Sequence, residues 1–137
     1  MYEKYFNKLR EECLIRNRSS RTADAYINNI CHFMKWTGYK SMEDLSLQDA
    51  RSFILEKRNS GLSSATCNFY NSSICFLYKH VLHIPWDQDI VPRMRLDVKL
   101  PKVLSLEEIE KLINSATQIR NKAIIALLYS SGMRVGE

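Results

Sequence analysis

Apolar residues along this chain recur at steps of three and four almost without interruption. A period of about 3.6 residues gathers them on one side of a helix, whereas a half-buried strand needs alternation with a period of two. No segment sustains that alternation, and only four glycines and three prolines punctuate 137 residues. The expected class is therefore all-α.

The first stretch, Met1 to about Arg16, carries Tyr2, Tyr5, Phe6, Leu9, Cys13 and Leu14 as an inward stripe and ends at Asn17-Arg18-Ser19-Ser20. A second helix starts after Ser19 or Ser20, since a hydroxyl there can accept a first-turn N–H. It presents Ala23, Tyr26, Ile27, Ile30, Phe33, Met34 and Trp36, and Gly38 stands at its C-terminal cap. A third follows Ser46, which forms a capping-box pattern with Asp49, and carries Leu47, Ala50, Phe53 and Ile54 up to Asn59-Ser60-Gly61. The fourth opens near Ser63 or Ser64, turns Phe69, Ser73, Phe76, Leu77 and Val81 inward, and stops before Ile84-Pro85. Four helices with short connections predict a bundle over residues 1–86.

Residues 87–104 differ. Pro92 and Pro101 interrupt them, no helical stripe runs through them, and residues 93–104 carry a net charge of +3 through Arg93, Arg95, Lys99 and Lys102 against Asp97. The whole chain carries +5, so most of the excess lies in this stretch, which reads as an extended basic linker. Residues 105–137 then begin with Ser105-Leu106-Glu107-Glu108, a second capping box, ahead of Ile109, Leu112 and Ile113. A last helix, about Gln118 to Ser131, is apolar nearly all round and so is expected at the centre of a larger core.

Several function classes drop out. The longest apolar run, Ala123 to Tyr129, has seven residues, against the roughly 18 to 20 that span a bilayer, so no membrane partner is expected. Met1-Tyr2-Glu3-Lys4 lacks the apolar core of a signal peptide, which leaves a cytoplasmic chain. Cys13, Cys31, Cys67 and Cys75 form no C-x-x-C pair, and His80 and His83 lack a third ligand, so reduced thiols and no metal are expected. No nucleophile–base pair suggests a complete small enzyme.

The closing stretch, Ala123-Ile-Ile-Ala-Leu-Leu-Tyr-Ser-Ser-Gly-Met-Arg-Val-Gly-Glu137, offers more chemistry. Gly132 can adopt a positive φ and turn the chain tightly, so Arg134 emerges from a rigid support. A guanidinium held that way suits bidentate binding of a phosphate or carboxylate, with Glu137 orienting it. Periodicity alone favours a plainer alternative, a capped helix followed by a surface Arg–Glu pair.

This stretch and the upstream Leu100-Pro-Lys-Val-Leu-Ser-Leu-Glu-Glu-Ile-Glu-Lys-Leu112 resemble the start of the catalytic domain of tyrosine recombinases, the phage integrase family. The bundle, with Ser20-x-Thr22-x-x-x-Tyr26 and Phe33-x-x-Trp36, is similar to that family's SAM-like core-binding domain. Asp89-Ile90-Val91-Pro92 departs from the Asn-Pro of many relatives. The resemblance implies a DNA-binding bundle, a linker and the first two helices of the catalytic domain. It further implies strand cleavage and rejoining through a 3′-phosphotyrosine in the full-length enzyme, without cofactors. Arg134 would be the first family arginine, on the scissile phosphate, and Tyr129 a packing residue. The nucleophile would come from further downstream, so this chain alone should be inactive.

By the same resemblance the partners are double-stranded DNA and other copies of the recombinase on it, in a bacterial or phage setting close to the nucleoid. The second and fourth helices would lie against the duplex. Arg16, Arg18, Ser20, Arg21 and Thr22 cluster at the start of the second, and no acidic residue interrupts Cys13 to Ala23. Ser63, Ser64 and Thr66 open the fourth, with Lys79 further along. Each hydroxyl could equally be a cap. Arg93, Arg95, Lys99 and Lys102 would track phosphates. Residues 118–131, if left without their core, would promote self-association. The alternative from another class is a catalytically dead helical module, derived from a recombinase, that binds proteins or regulates.

Overall fold

Hydroxyl caps start four of the helices. In this computed structural model, which describes residues 2–96, 101–134 and 136, the helices are α1 (Glu3–Ile15), α2 (Ser20–Trp36), α3 (Leu47–Asn59), α4 (Ser64–Phe76), α5 (Leu106–Ser115) and α6 (Ile119–Ser131). Ser19 and Ser63 accept the N–H of Thr22 and Thr66, each at 3.2 Å. Ser46 with Asp49 and Ser105 with Glu108 close full capping boxes. Each such cap stabilises its helix by about 1 kcal/mol by satisfying otherwise orphaned amides. Gly61, at φ +91°, ends α3 in a conformation that L side chains disfavour. Every regular element among the described residues is helical, including a short 3-10 helix at Met42–Asp44.

The chain forms two units, Met1–Asp97 and Val98–Glu137. In the first, α1–α4 close around Leu9, Cys13, Ile30, Phe33, Phe53, Cys67, Ile74, Leu77 and Tyr78, all fully or almost fully buried. Phe53 is the hub of an aromatic cluster, with Phe33 at 5.2 Å, Tyr70 at 5.3 Å and Trp36 at 5.7 Å, all edge-on. Edge-to-face pairs of this kind each add roughly 0.5–1.5 kcal/mol beyond the area they bury.

Three contacts set the direction of α2 against α4. The rings of Tyr26 and Phe76 lie 5.4 Å apart, Asn29 donates to Ser73 Oγ at 2.9 Å, and His32 meets Tyr70 at 6.3 Å. As numbers rise along α2 they fall along α4, so the two are antiparallel. Beyond Phe76 the fourth helix widens into a π-helix over Leu77–Leu82 and ends at His83, which is left-handed at φ +56°. Lys8 donates to the Val81 carbonyl at 2.9 Å there, tying α1 to that end. Tyr78 donates to the Ser46 carbonyl at 2.9 Å. Burial, helped by the Asp49 charge, holds its phenol well above the usual range.

Three expectations change in this unit. Leu14 is 77% exposed, because it stands well round the helix from the Leu9–Cys13 line that meets the core. Phe69 is 43% exposed, leaning on Tyr26 at 6.0 Å while lining a groove with Arg93, Met94 and Leu96. Trp86 packs edge-on against Tyr78 at 5.5 Å, and Val91 is buried, so residues 87–96 lie on the bundle instead of forming a free linker. Their backbone finds side-chain partners that a periodicity argument cannot see. Residues 97–100 lie outside the described residues, and 101–104 are exposed.

In the second unit, α5 and α6 pack together and bury Ile109. No residue of α6 is buried, and Tyr129, expected to pack, is 54% exposed. A helix apolar on every side needs neighbours on several sides, and among the described residues of its unit α6 has α5.

Candidate nucleic-acid interface

At the start of α2, Ser19 Oγ also shares a 2.9 Å hydrogen bond with Thr22 Oγ1, so Thr22 belongs partly to the cap. The remaining first-turn amides carry the positive end of the helix dipole outward. Ser20 and Arg21 are exposed beside them. Because α2 and α4 are antiparallel, the end of the π-helix lies alongside, bringing Lys79 and His80 to the same place.

Arg18 and Arg16 are anchored there. Arg18 donates to Tyr26 Oη at 2.9 Å, and its guanidinium lies 5.7 Å from the Tyr26 ring centre and 5.4 Å from that of Phe76. Arg16 donates to the Glu12 carbonyl at 3.1 Å, to the Glu12 carboxylate, and to His80 Nδ1 at 2.9 Å. Burial, with Arg16 beside it, holds the His80 imidazole below its usual range and so favours the neutral ring, and since a guanidinium can only donate, Nδ1 is the accepting nitrogen. Arg21 and Lys79, by contrast, are exposed and make no hydrogen bond or ion pair among the described residues. Two counter-charges lie nearby: Glu12, paired with Arg16, and Asp24, in an exposed pair with Arg10 at 3.3 Å, a kind worth little in water.

The start of α4 stands at the other end of the pair. Ser63 and Thr66 repeat the hydroxyl cap, with a 2.9 Å bond between their side chains. Ser64 is buried, which removes it from the expected contact set. Asn71 donates to the Pro92 carbonyl at 3.1 Å, and Asn68 pairs with Met94, accepting its N–H at 2.8 Å and donating to its carbonyl at 2.9 Å. The segment therefore runs antiparallel to α4, toward Ser63 and Thr66. Arg93 donates to Ser72 Oγ at 3.1 Å, and Arg95 is exposed.

The two predicted clusters thus do not merge. Arg16–Thr22 with Lys79 occupy one end of the α2–α4 pair and Ser63 and Thr66 the other, on the order of 20 Å away at 1.5 Å per helical residue; Arg93, bonded to Ser72 and, like Lys79, near enough to act on the Cys75 thiol, stands between them. Sequence reasoning missed Asn68, Asn71 and Ser72. A signal was present, since asparagine is a poor helix-interior residue that needs a reason to be there.

In the second unit Lys102 is exposed, and Lys99 lies outside the described residues. Gly132 is left-handed at φ +65°, and its N–H reaches the Leu128 carbonyl at 3.0 Å. The chain turns there, and Arg134 follows two residues later, exposed. Glu137 lies outside the described residues. No group of three or more His, Cys, Asp or Glu converges among the described residues. The thiols of Cys13, Cys31 and Cys75 are raised by burial, which makes them weaker nucleophiles.

Residues 5–88 match the model of the phage integrase N-terminal SAM-like domain. The chain is 30% identical over 134 residues to tyrosine recombinase XerC of Bacillus licheniformis, covering 89% of this chain and 44% of that protein. It is 27% identical over 147 residues to tyrosine recombinase XerD of Oceanobacillus iheyensis, covering 98% and 48%. For tyrosine recombinase XerC of Rickettsia prowazekii the identity is 31% over 147 residues, covering 90% and 47%. The chain thus spans about half the length of the curated relatives it matches. With a matched helical domain that fills most of the first unit and relatives that share sequence on both sides of residue 97, this chain belongs to the tyrosine recombinase, or phage integrase, family.

Proposed function

We propose that the chain binds double-stranded DNA as the N-terminal portion of a tyrosine-type site-specific recombinase, which cleaves and rejoins strands through a 3′-phosphotyrosine. The observation that carries this reading is the basic cluster at the start of α2. Arg18 is stacked on two rings, Arg16 is held by His80, and Arg21 and Lys79 project beside a helix N-terminus. Phosphates favour such a site for its outward amides as well as its cations. Ser20 and Thr22 add hydroxyl donors. Ser63 and Thr66 at the far end of the α2–α4 pair, with Arg93 at Ser72 and Arg95 after it, form a second contact; Lys99 and Lys102 are taken as further phosphate contacts of their own.

In the second unit, Arg134 is assigned to the scissile phosphate, where a preorganised guanidinium stabilises developing charge; Glu137 orients it. Within a complete recombinase, Arg134→Lys keeps the charge and loses the fork, so cleavage should fall by orders of magnitude while duplex binding persists. The setting proposed is the cytoplasm, with other copies on the same DNA. Among the described residues no helix is long and apolar enough to cross a membrane.

Duplex binding measured by fluorescence anisotropy at several salt concentrations tests the reading. Affinity should fall steeply with salt, and Arg21→Ala with Lys79→Ala should lower the log–log slope by about 2. A slope near zero in the unaltered chain would sink it. A second reading, a protein-interaction module, is favoured by the exposed Ile119, Leu127 and Tyr129 of α6. It predicts self-association through residues 118–131, seen as a light-scattering mass that rises with concentration and that Leu127→Glu abolishes.

A further inference from the structure

We propose that Asn68 and Asn71 are positioning residues for DNA binding, docking residues 92–94 along α4 so that Arg93 and Arg95 become a fixed part of the phosphate-binding surface. This rests on the DNA-binding reading given above. Asn68 is buried and uses its side-chain amide as a strand would use its backbone, taking the Met94 N–H at 2.8 Å and giving to the Met94 carbonyl at 2.9 Å. Asn71, also buried, gives to the Pro92 carbonyl at 3.1 Å. Arg51 gives to the Ile90 carbonyl at 2.5 Å, and Val91 is inserted into the core.

The segment has no regular structure of its own, so its backbone groups would otherwise turn to water. Two asparagines inside α4 do nothing for the helix; what they satisfy is this segment. The register matters. Met94 is the clamped, partly buried residue, and the exposed arginines 93 and 95 flank it. Arg93 is further steadied by Ser72 at 3.1 Å. A free tether with the same charges would have to be ordered on binding, whereas a docked one is already in place, and preorganisation of this kind raises affinity without adding a contact.

The test uses the full chain and a duplex oligonucleotide. Asn68→Ala with Asn71→Ala should release the segment: the Met94 amide loses its exchange protection, and duplex affinity falls roughly tenfold. The salt slope stays close to that of the unaltered chain, because the charges remain. Met94→Pro breaks the same clamp from the segment side, by removing the N–H that Asn68 accepts, and leaves α4 untouched; it should reproduce the affinity loss even if the asparagine variant folds poorly. Arg93→Ala with Arg95→Ala should weaken binding in the clamped chain and weaken it several-fold less once the clamp is broken. Equal losses in both backgrounds would overturn the proposal. So would a Met94 amide already unprotected in the unaltered chain, whatever that chain does with DNA. An unaltered chain that protects Met94 but ignores the duplex would instead overturn the DNA-binding reading and, with it, the role given to the clamp.

Discussion

Helices α2 and α6 are both rich in apolar residues, yet α2 buries Ala23, Tyr26, Asn29, Ile30, Phe33 and Met34, and α6 buries nothing. The difference lies in how the apolar residues are arranged. In α2 they form one stripe, which α1, α3 and α4 cover, leaving Arg21, Asn28 and Lys35 to solvent. In α6 they surround the helix, and α5 covers little of it. An amphipathic helix completes its core with few neighbours; a helix apolar all round does not. The first unit is accordingly closed around one core, while the second consists of two helices whose shared buried residue is Ile109.

Truncating the two kinds of helix partner gives the largest expected contrast. Phe53→Ala removes the hub of the aromatic cluster and should destabilise the first unit by about 3–5 kcal/mol in urea unfolding. Leu127→Ala, on a residue 56% exposed, should stay within roughly 0.5 kcal/mol. If the two losses matched, α6 would belong to a closed core and the contrast would be gone.

A smaller effect separates the two capping boxes. Ser46→Ala should cost the first unit about 1 kcal/mol of global stability, since α3 is built into its core. Ser105→Ala should show mainly as faster amide exchange in α5, with little change in the unfolding midpoint.

Acid sharpens the comparison further. Burial pushes the Asp49 carboxyl up, but the Ser46 N–H and hydroxyl and the Lys40 ammonium together more than offset it, and its pKa is lowered from 3.8. A carboxylate depressed in the folded state adds stability that is present at neutral pH and is lost as pH falls through its folded pKa. Asp49→Asn should therefore lower stability at pH 7 and flatten the decline on going to about pH 3. The smallest effect belongs to His80, whose pKa is lowered from 6.5 chiefly by burial and next by Arg16. A histidine kept neutral by the fold contributes fully above its unfolded pKa and less as pH falls. His80→Gln should remove that drop between about pH 7 and pH 5, in chemical unfolding followed by tryptophan fluorescence.

Much of the bundle was legible because caps and stripes are local. Ser19, Ser46, Ser63 and Ser105 stand where hydroxyls can meet first-turn amides, and the structure uses all four that way. The path of residues 87–96 was not legible, since it depends on Asn68 and Asn71, some twenty residues earlier, reaching across space. Of the candidate interface, the arginine cluster at the start of α2 could be read directly. That Arg18 lies on Tyr26 and Phe76, that Ser64 turns inward, and that Lys79 joins the α2 end instead of the α4 end could not.

Taken alone, the residue order determined the class, the family and where the six α-helices begin, because each depends on neighbours within a turn or two or on a motif read in line; the short 3-10 helix at Met42–Asp44 and the π-helix after Phe76 it did not give. Only the tertiary structure decided which charges share a surface. Antiparallel packing of α2 on α4 placed the two hydroxyl-capped ends far apart and brought Lys79 to the end that carries Arg16 and Arg18, an outcome of long-range contacts between Tyr26 and Phe76 and between Asn29 and Ser73 that no local pattern encodes.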